Sequence, residues 1–233
     1  MLKGKLYRKS PRYFKYVFFG IVLSDIVLGH LGLTEFRVIS KPLILISLLV
    51  YFLRLGTHLE KRTYVLSGCA LILSLFGDVF LLFEAYSSLY FVLGLTSFLL
   101  AHLLYGFIFS KKRNKRPPII LYVIALLLFI YGTLLFLYLK PSLGTLAYPV
   151  LAYVLAILFM AISALARFRN VNAHSFLWVG MGALCFVCSD SILAIDMFKK
   201  QIPFASLWIM GCYALAQYLI VEGLLKQSTV LKI

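Results

Sequence analysis

Long apolar runs separated by short charged breaks fill the chain from about residue 14 onward. Read by length, they predict eight spanning helices near 14–32, 42–56, 64–83, 90–109, 118–139, 145–166, 175–196 and 203–225. A bilayer core takes roughly 20 such residues per helix. The runs are apolar all round instead of alternating, which excludes a closed β-barrel. Charge marks the breaks, from Arg54 to Arg62, Lys111 to Arg116 and Arg167 to Arg169. Pro42 and Pro118 read as first-turn prolines, whose missing N–H would have no helical partner, and Pro141 as the stop after the fifth span. No linker, low-complexity tract or clear internal repeat interrupts the pattern. The expected architecture is all-α: one polytopic transmembrane bundle of about eight spans over residues 1–233.

Composition agrees with that reading. Of 233 residues, 63% are hydrophobic and only 13% charged, and the mean hydropathy is +0.98. A soluble domain is about half apolar and a quarter charged, so an ordinary soluble enzyme, a disordered segment and a disulfide scaffold all fit poorly. The net charge of +15 would suit nucleic acid, but its lysines and arginines sit in loops between apolar runs, and no basic face alternates with aromatics. No nucleic-acid or protein partner is expected. Of the 23 Lys and Arg, five (Arg37, Lys41, Lys140, Lys199 and Lys200) fall on one side of the predicted bundle and the rest on the other. The positive-inside rule then puts both termini in the cytoplasm. Lys3, Lys5, Arg8, Lys9, Arg12 and Lys15 resemble a signal-peptide start, yet no small-residue cleavage site follows, so the first run reads as a retained span. A multi-pass integral membrane protein follows, in the inner membrane if the cell is bacterial. Its basic loops face anionic membrane lipids.

Charges inside the apolar runs carry the functional signal, because an ionised Asp at the bilayer centre costs about 2.5–3.5 kcal/mol on insertion scales. Asp25, Asp78 and Asp190 lie inside predicted spans; Glu35, Glu60, Glu84, Asp196 and Glu222 lie in loops or near span ends. Counting residues places Asp78 and Asp190 at one depth, roughly 8–9 Å inside the non-cytoplasmic boundary, so they could share a site. Asp25 reads better as a helix lock bonded to a nearby Ser, Tyr or Gln. His102 and Tyr105 share a face of span four, as Tyr213 and Gln217 do on span eight. By the same counting His102 is about 18 Å from that boundary, below the aspartates. No H-x-x-x-H or comparable spacing offers a metal site, and no cofactor motif is present. Cys185-x-x-Cys188 lacks any other part of a redox unit and reads as packing.

In order along the chain stand Lys41-Pro42-Leu43, Gly77-Asp78 with Leu81 and Phe83, and Gly94-x3-Phe98-x3-His102-x2-Tyr105. Gly182-Ala183, Phe186 and Ser189-Asp190 follow, then Tyr213-x2-Ala216-Gln217. Over about residues 40–225 this series resembles the YhhN-like membrane proteins, whose characterised members are lysoplasmalogenases. The resemblance implies an eight-span fold and hydrolysis of the vinyl-ether bond of lysoplasmalogens, giving a fatty aldehyde and a glycerophospho-ethanolamine or -choline. It also implies that Asp78 and Asp190 are the essential aspartates.

Vinyl-ether hydrolysis needs a proton delivered to the β-carbon, then water added to the oxocarbenium ion left at the α-carbon. Glycosidases meet a related cation with two carboxyl groups, one protonated and one ionised. Asp78 and Asp190 are therefore the expected catalytic pair, with neither singled out as the acid. His102, Tyr105, Ser189, Tyr213 and Gln217 are expected around them or on substrate, and Lys41 near the lipid phosphate. The alternative is a proton-coupled transporter using the same aspartates, against which stands the absence of paired broken helices in matching halves. A structural role for the aspartates, or hydrolysis of another lipid bond, is a further option; no G-x-S-x-G motif supports the latter.

Overall fold

The computed structural model describes residues 13–228; the expected basic cluster Lys3, Lys5, Arg8, Lys9 and Arg12, and Lys232, lie outside them. Eight α-helices follow in order among the described residues: α1 (Phe14–His30), α2 (Thr34–Leu55), α3 (Lys61–Leu82), α4 (Ser88–Ser110), α5 (Ile119–Leu143), α6 (Ala147–Leu165), α7 (Ala173–Phe198) and α8 (Ala205–Leu225). Short 3-10 turns stand at Gly56–His58 and Gly144–Leu146. Among the described residues six stretches are long and apolar enough to cross a membrane, the fourth of which, Ile119–Leu165, contains both α5 and α6. The chain is thus an all-α, multi-pass membrane protein.

The prolines correct two helix boundaries. α2 begins at Thr34, well before the expected start at 42, with Glu35 in its first turn and Pro42 in its interior. A carboxylate at a helix N-terminus complements the helix dipole, and neighbouring helices offset the hydrogen bond that an interior proline removes from a membrane helix. Pro141 likewise sits inside the last turn of α5, which runs on to Leu143 and stops where Gly144 takes φ +51°.

Close helix approach depends on small residues, because lipid supplies little hydrophobic drive for helices to associate. A Cβ on Gly182 of α7 would stand 2.9 Å from the carbonyl oxygen of Ala216 on α8, and one on Gly77 of α3 would stand 2.5 Å from the Phe98 ring on α4. The main core joins residues of α1 to α4 and α6 to α8, among them Phe18, Leu45, Leu71, Tyr105, Met160, Phe186 and Ile220. α5 lies at the periphery, with Ile119, Leu126 and Leu134 turned outward.

Charged residues near helix ends are not all at the surface of the bundle. Arg167, in the turn after α6, is fully buried. Its Nη2 donates to Ser175 Oγ and Gln227 Oε1, each at 2.7 Å, and its guanidinium stands 5.4 Å from the centre of the Phe109 ring. Burial pushes its pKa down to about 10, which leaves it charged at neutral pH. Glu222 is buried too, accepting from the Tyr51 hydroxyl and pairing with Lys226 at 3.2 Å.

Candidate active site

Between the starts of α2 and α8 and the ends of α3 and α7 lies a polar cavity of about 390 Å³, with Lys41, Asp78, Ser189, Asp190 and Tyr213 on its wall. Its size is within the range of small-molecule sites, about 300–1,000 Å³. It lies at the end of the bundle opposite the start of α1. Asp78 and Asp190, 112 positions apart in the chain, line this one space.

Each aspartate is held by its own partners. The Tyr213 hydroxyl of α8 donates to Asp78 Oδ2 at 2.7 Å, and Lys41 Nζ of α2 stands 3.8 Å from Oδ1. Asp190 Oδ2 accepts from the Tyr153 hydroxyl of α6 at 2.5 Å, and His102 Nε2 of α4 lies 3.3 Å from the same oxygen. His102 Nε2 is also 3.0 Å from the Tyr153 oxygen. The two halves are joined by edge-to-face rings, with Phe186 between His102 (4.7 Å) and Tyr213 (5.5 Å). Such contacts lock ring orientation as well as filling space.

His102 meets Asp190 although residue counting sets the histidine below the aspartates. Phe91 near the start of α4 touches Phe198 at the end of α7, with ring centres 5.7 Å apart, so the two helices run in opposite senses. Each Cα–Cβ bond tilts toward its own helix N-terminus. The two side chains therefore lean toward each other, which counting along the helix axis does not register.

The other expected residues take varied places. Tyr105 donates to Gln217 Oε1 at 3.2 Å; both are fully buried, and neither is on the cavity wall. Ser189 reaches the wall, but its hydroxyl donates to the Ile209 carbonyl at 3.0 Å. Asp25 is a lock, as expected, though with a stronger partner than expected: Ser40 Oγ donates to it at 2.6 Å, and Arg37 pairs with it at 3.1 Å. Tyr153 is missing from the sequence reading. It is one of three tyrosines within sixteen residues, Tyr138, Tyr148 and Tyr153, in an apolar stretch with no motif to separate them. Arg37 and Glu84, read as loop charges, also line the cavity.

Beside the polar cavity runs a smaller apolar groove of about 80 Å³ between α4, α5, α6 and α7. Leu81, Phe98, Tyr153, Asp190 and Leu193 line both spaces, so Asp190 stands on their common wall. No cluster of three or more His, Cys, Asp or Glu side chains suited to a metal occurs among the described residues.

Comparison with known proteins adds independent information. The chain is 36% identical over 156 residues to lysoplasmalogenase TMEM86A of Bos taurus, covering 64% of this chain and 61% of that protein. It is 35% identical over 164 residues to human lysoplasmalogenase TMEM86B, covering 70% and 65%. A Mycobacterium tuberculosis lysoplasmalogenase is 34% identical over 158 residues, covering 66% and 58%. The matched part thus spans less than two thirds of the length of each of these relatives. No solved structure matches the chain. The family model of YhhN matches residues 36–224, a stretch that contains both aspartates and all or nearly all of each helix that lines the two cavities, and the chain belongs to the YhhN family.

Proposed function

We propose that this protein is a membrane lysoplasmalogenase, hydrolysing the vinyl ether of a lysoplasmalogen to a fatty aldehyde and a glycerophospho-ethanolamine or -choline. The observation that carries the reading is the position of Asp190 on the wall shared by a polar cavity and an apolar groove. A lysoplasmalogen has the same division, with its vinyl ether joining an apolar chain to a polar head. The names of the relatives support this substrate class. Eight spans with both termini in the cytoplasm complete the proposal, which opens the cavity toward the opposite leaflet.

Laid along the two spaces, the substrate puts its β-carbon on the groove side and its α-carbon on the polar side. Asp190 then delivers a proton to the β-carbon, and the double-bond electrons form the new C–H bond. The α-carbon and ether oxygen share the resulting positive charge. Asp78, in the polar space, stabilises that cation and takes a proton from the water that adds to it. The hemiacetal collapses as the now ionised Asp190 takes its hydroxyl proton and Asp78 gives the proton taken from water to the glycerol oxygen, so that the C–O bond breaks, aldehyde and alcohol leave, and both carboxyls return to their starting states. Tyr153 and His102 hold Asp190, and Tyr213 and Lys41 hold Asp78, so neither carboxyl must reorganise as charge develops.

Aldehyde release from a lysoplasmalogen by the purified full chain tests the proposal, alongside Asp78→Asn and Asp190→Asn. Wild-type turnover with both variants folded and inactive supports it. Turnover by either folded variant removes the pair mechanism, and no turnover by folded wild type removes the activity.

A further inference from the structure

The rim of the polar cavity carries charge that the hydrolytic step does not use. Arg37 of α2, Glu84 in the turn after α3 and Ser206 in the first turn of α8 all line it. Arg37 is gripped along one edge, with Nε and Nη2 donating to the two oxygens of Asp25 at 3.3 and 3.1 Å. Asp25 is completely buried and also accepts from Ser40, so the direction of the fork is set from beneath. A guanidinium has five N–H donors in a rigid plane, and this grip leaves donors on its far side.

Those donors have company. The Ser206 hydroxyl oxygen is shielded and has no hydrogen-bond partner among the described residues. Ser206 Oγ and Arg37 Cζ crowd one point above Gly29, lying 2.5 and 3.2 Å from where its Cβ would be. α8 starts at Ala205 with no side chain capping it, and Ala205 and Ser206 both line the cavity. The Ala205 and Leu207 N–H groups bond the Ile202 and Phe204 carbonyls, so what this helix start offers an anion is the positive end of its dipole beside the Ser206 hydroxyl. Lys41 adds a second positive charge to the same wall. Glu84 has the opposite character: half-buried on the rim, it makes no ion pair or hydrogen bond with any described residue. Burial pushes its carboxyl pKa up, while Lys41 acts against that from a distance.

We infer that the rim is a subsite for a zwitterionic phosphodiester head group. Arg37, Ser206 and the first turn of α8 take the phosphodiester, and Glu84 takes the ammonium. This deepens the lysophospholipid reading and rests on it for the rest of the ligand. Asp25 is a positioning residue that aims Arg37. Asp196, which also lines the cavity, is engaged by the Ile202 N–H at 2.6 Å and holds the loop before α8.

The test is binding of saturated alkyl-ether lysophospholipids, which have no vinyl ether to cleave, to the purified full chain in detergent. Ethanolamine, choline and glycerol head groups are compared, with inorganic phosphate as competitor. Wild type is expected to bind the two ammonium lipids about tenfold more tightly than the glycerol lipid, the scale of one charge-assisted contact. Glu84→Gln is expected to abolish that preference and leave the glycerol lipid unchanged. Ser206→Ala and Arg37→Lys should each weaken all three lipids, the latter keeping the charge but losing the fork. Arg37→Lys also avoids stranding buried Asp25, and circular dichroism checks that each variant is folded. A preference that survives Glu84→Gln, or unchanged affinity in both folded phosphate-site variants, overturns the subsite. So does inorganic phosphate binding as tightly as the lipids, which would mark a free-phosphate site. Because no ligand is cleaved, failure of the hydrolase reading would appear only in the aldehyde assay.

Discussion

The Tyr153 hydroxyl on α6 donates a hydrogen bond to Asp190 Oδ2 on α7 at 2.5 Å, where the polar cavity meets the apolar groove. One side of this pair faces the polar cavity, the other the apolar groove. A carboxyl in that position needs a fixed direction more than a free one, and Tyr153 with His102 supplies it.

Tyr153→Phe keeps the ring in the groove wall and deletes only the donor. A hydrogen bond between neutral groups, here the tyrosine hydroxyl and the protonated acid, is worth about 0.5–1.5 kcal/mol, so kcat should fall roughly 2- to 10-fold. Aldehyde release at saturating substrate measures it, and KM should change little because the wall retains its shape. A variant with wild-type kcat would show that Tyr153 does not orient the acid.

Leu135 on α5 lines the apolar groove without touching the polar cavity. Leu135→Trp should shorten the space left for a chain. KM for long-chain lysoplasmalogens should rise about tenfold, in line with the 1–3 kcal/mol by which a hydrophobic pocket discriminates size. Short-chain substrates should be spared. A uniform effect across chain lengths would place the chain elsewhere.

Gly182→Val tests the α7–α8 seam. The backbone oxygen of Ala216 cannot rotate away as a side chain can, so the helices must separate, at a cost of about 1–3 kcal/mol. The melting temperature in detergent should drop. Gly211→Ala on α8 is the control, since a Cβ there meets nothing within 4 Å, and its melting temperature should hold or rise slightly.

Glu84→Gln should also change the pH dependence of stability. Burial raises the Glu84 pKa in the folded protein, so the stability linked to this group is present at low pH and is lost as pH rises through the folded value. Gln does not titrate. The variant should melt at a higher temperature than wild type at about pH 8, and the difference should close toward about pH 4. An unchanged difference across that range would mean that Glu84 is equally solvated in both states.

Much of the candidate site was legible in the sequence because charge is costly in lipid. Asp78 and Asp190 stand out against apolar runs, and the structure puts them on one cavity wall. His102 was legible as a polar residue inside a run, but its contact with Asp190 was not, since depth counted in residues ignores the lean of each side chain. Tyr153 could not be told from the tyrosines near it. An aromatic residue with a hydroxyl is at home in a membrane interface, in a packed core or on a carboxylate, and only its neighbours decide which.

Loop charges were misread for a related reason. Arg37, Glu84, Arg167 and Glu222 fall near helix ends, where an exposed charge needs no explanation. Arg37 is in fact inside α2, whose true start at Thr34 is hidden by Pro42. Arg167 and Glu222 are buried among partners that lie far off in sequence.

Sequence alone determined that this chain is a set of apolar helices, because every backbone N–H and C=O in lipid must be satisfied within its own segment. It also determined which residues are out of place there. Only the tertiary structure decided which face of each helix turns inward. In a soluble protein the contrast between polar and apolar residues marks that face, but lipid is as apolar as the core. The inward faces are set instead by where glycines allow approach and where a few polar side chains find one another, and those pairings exist only once the helices have met.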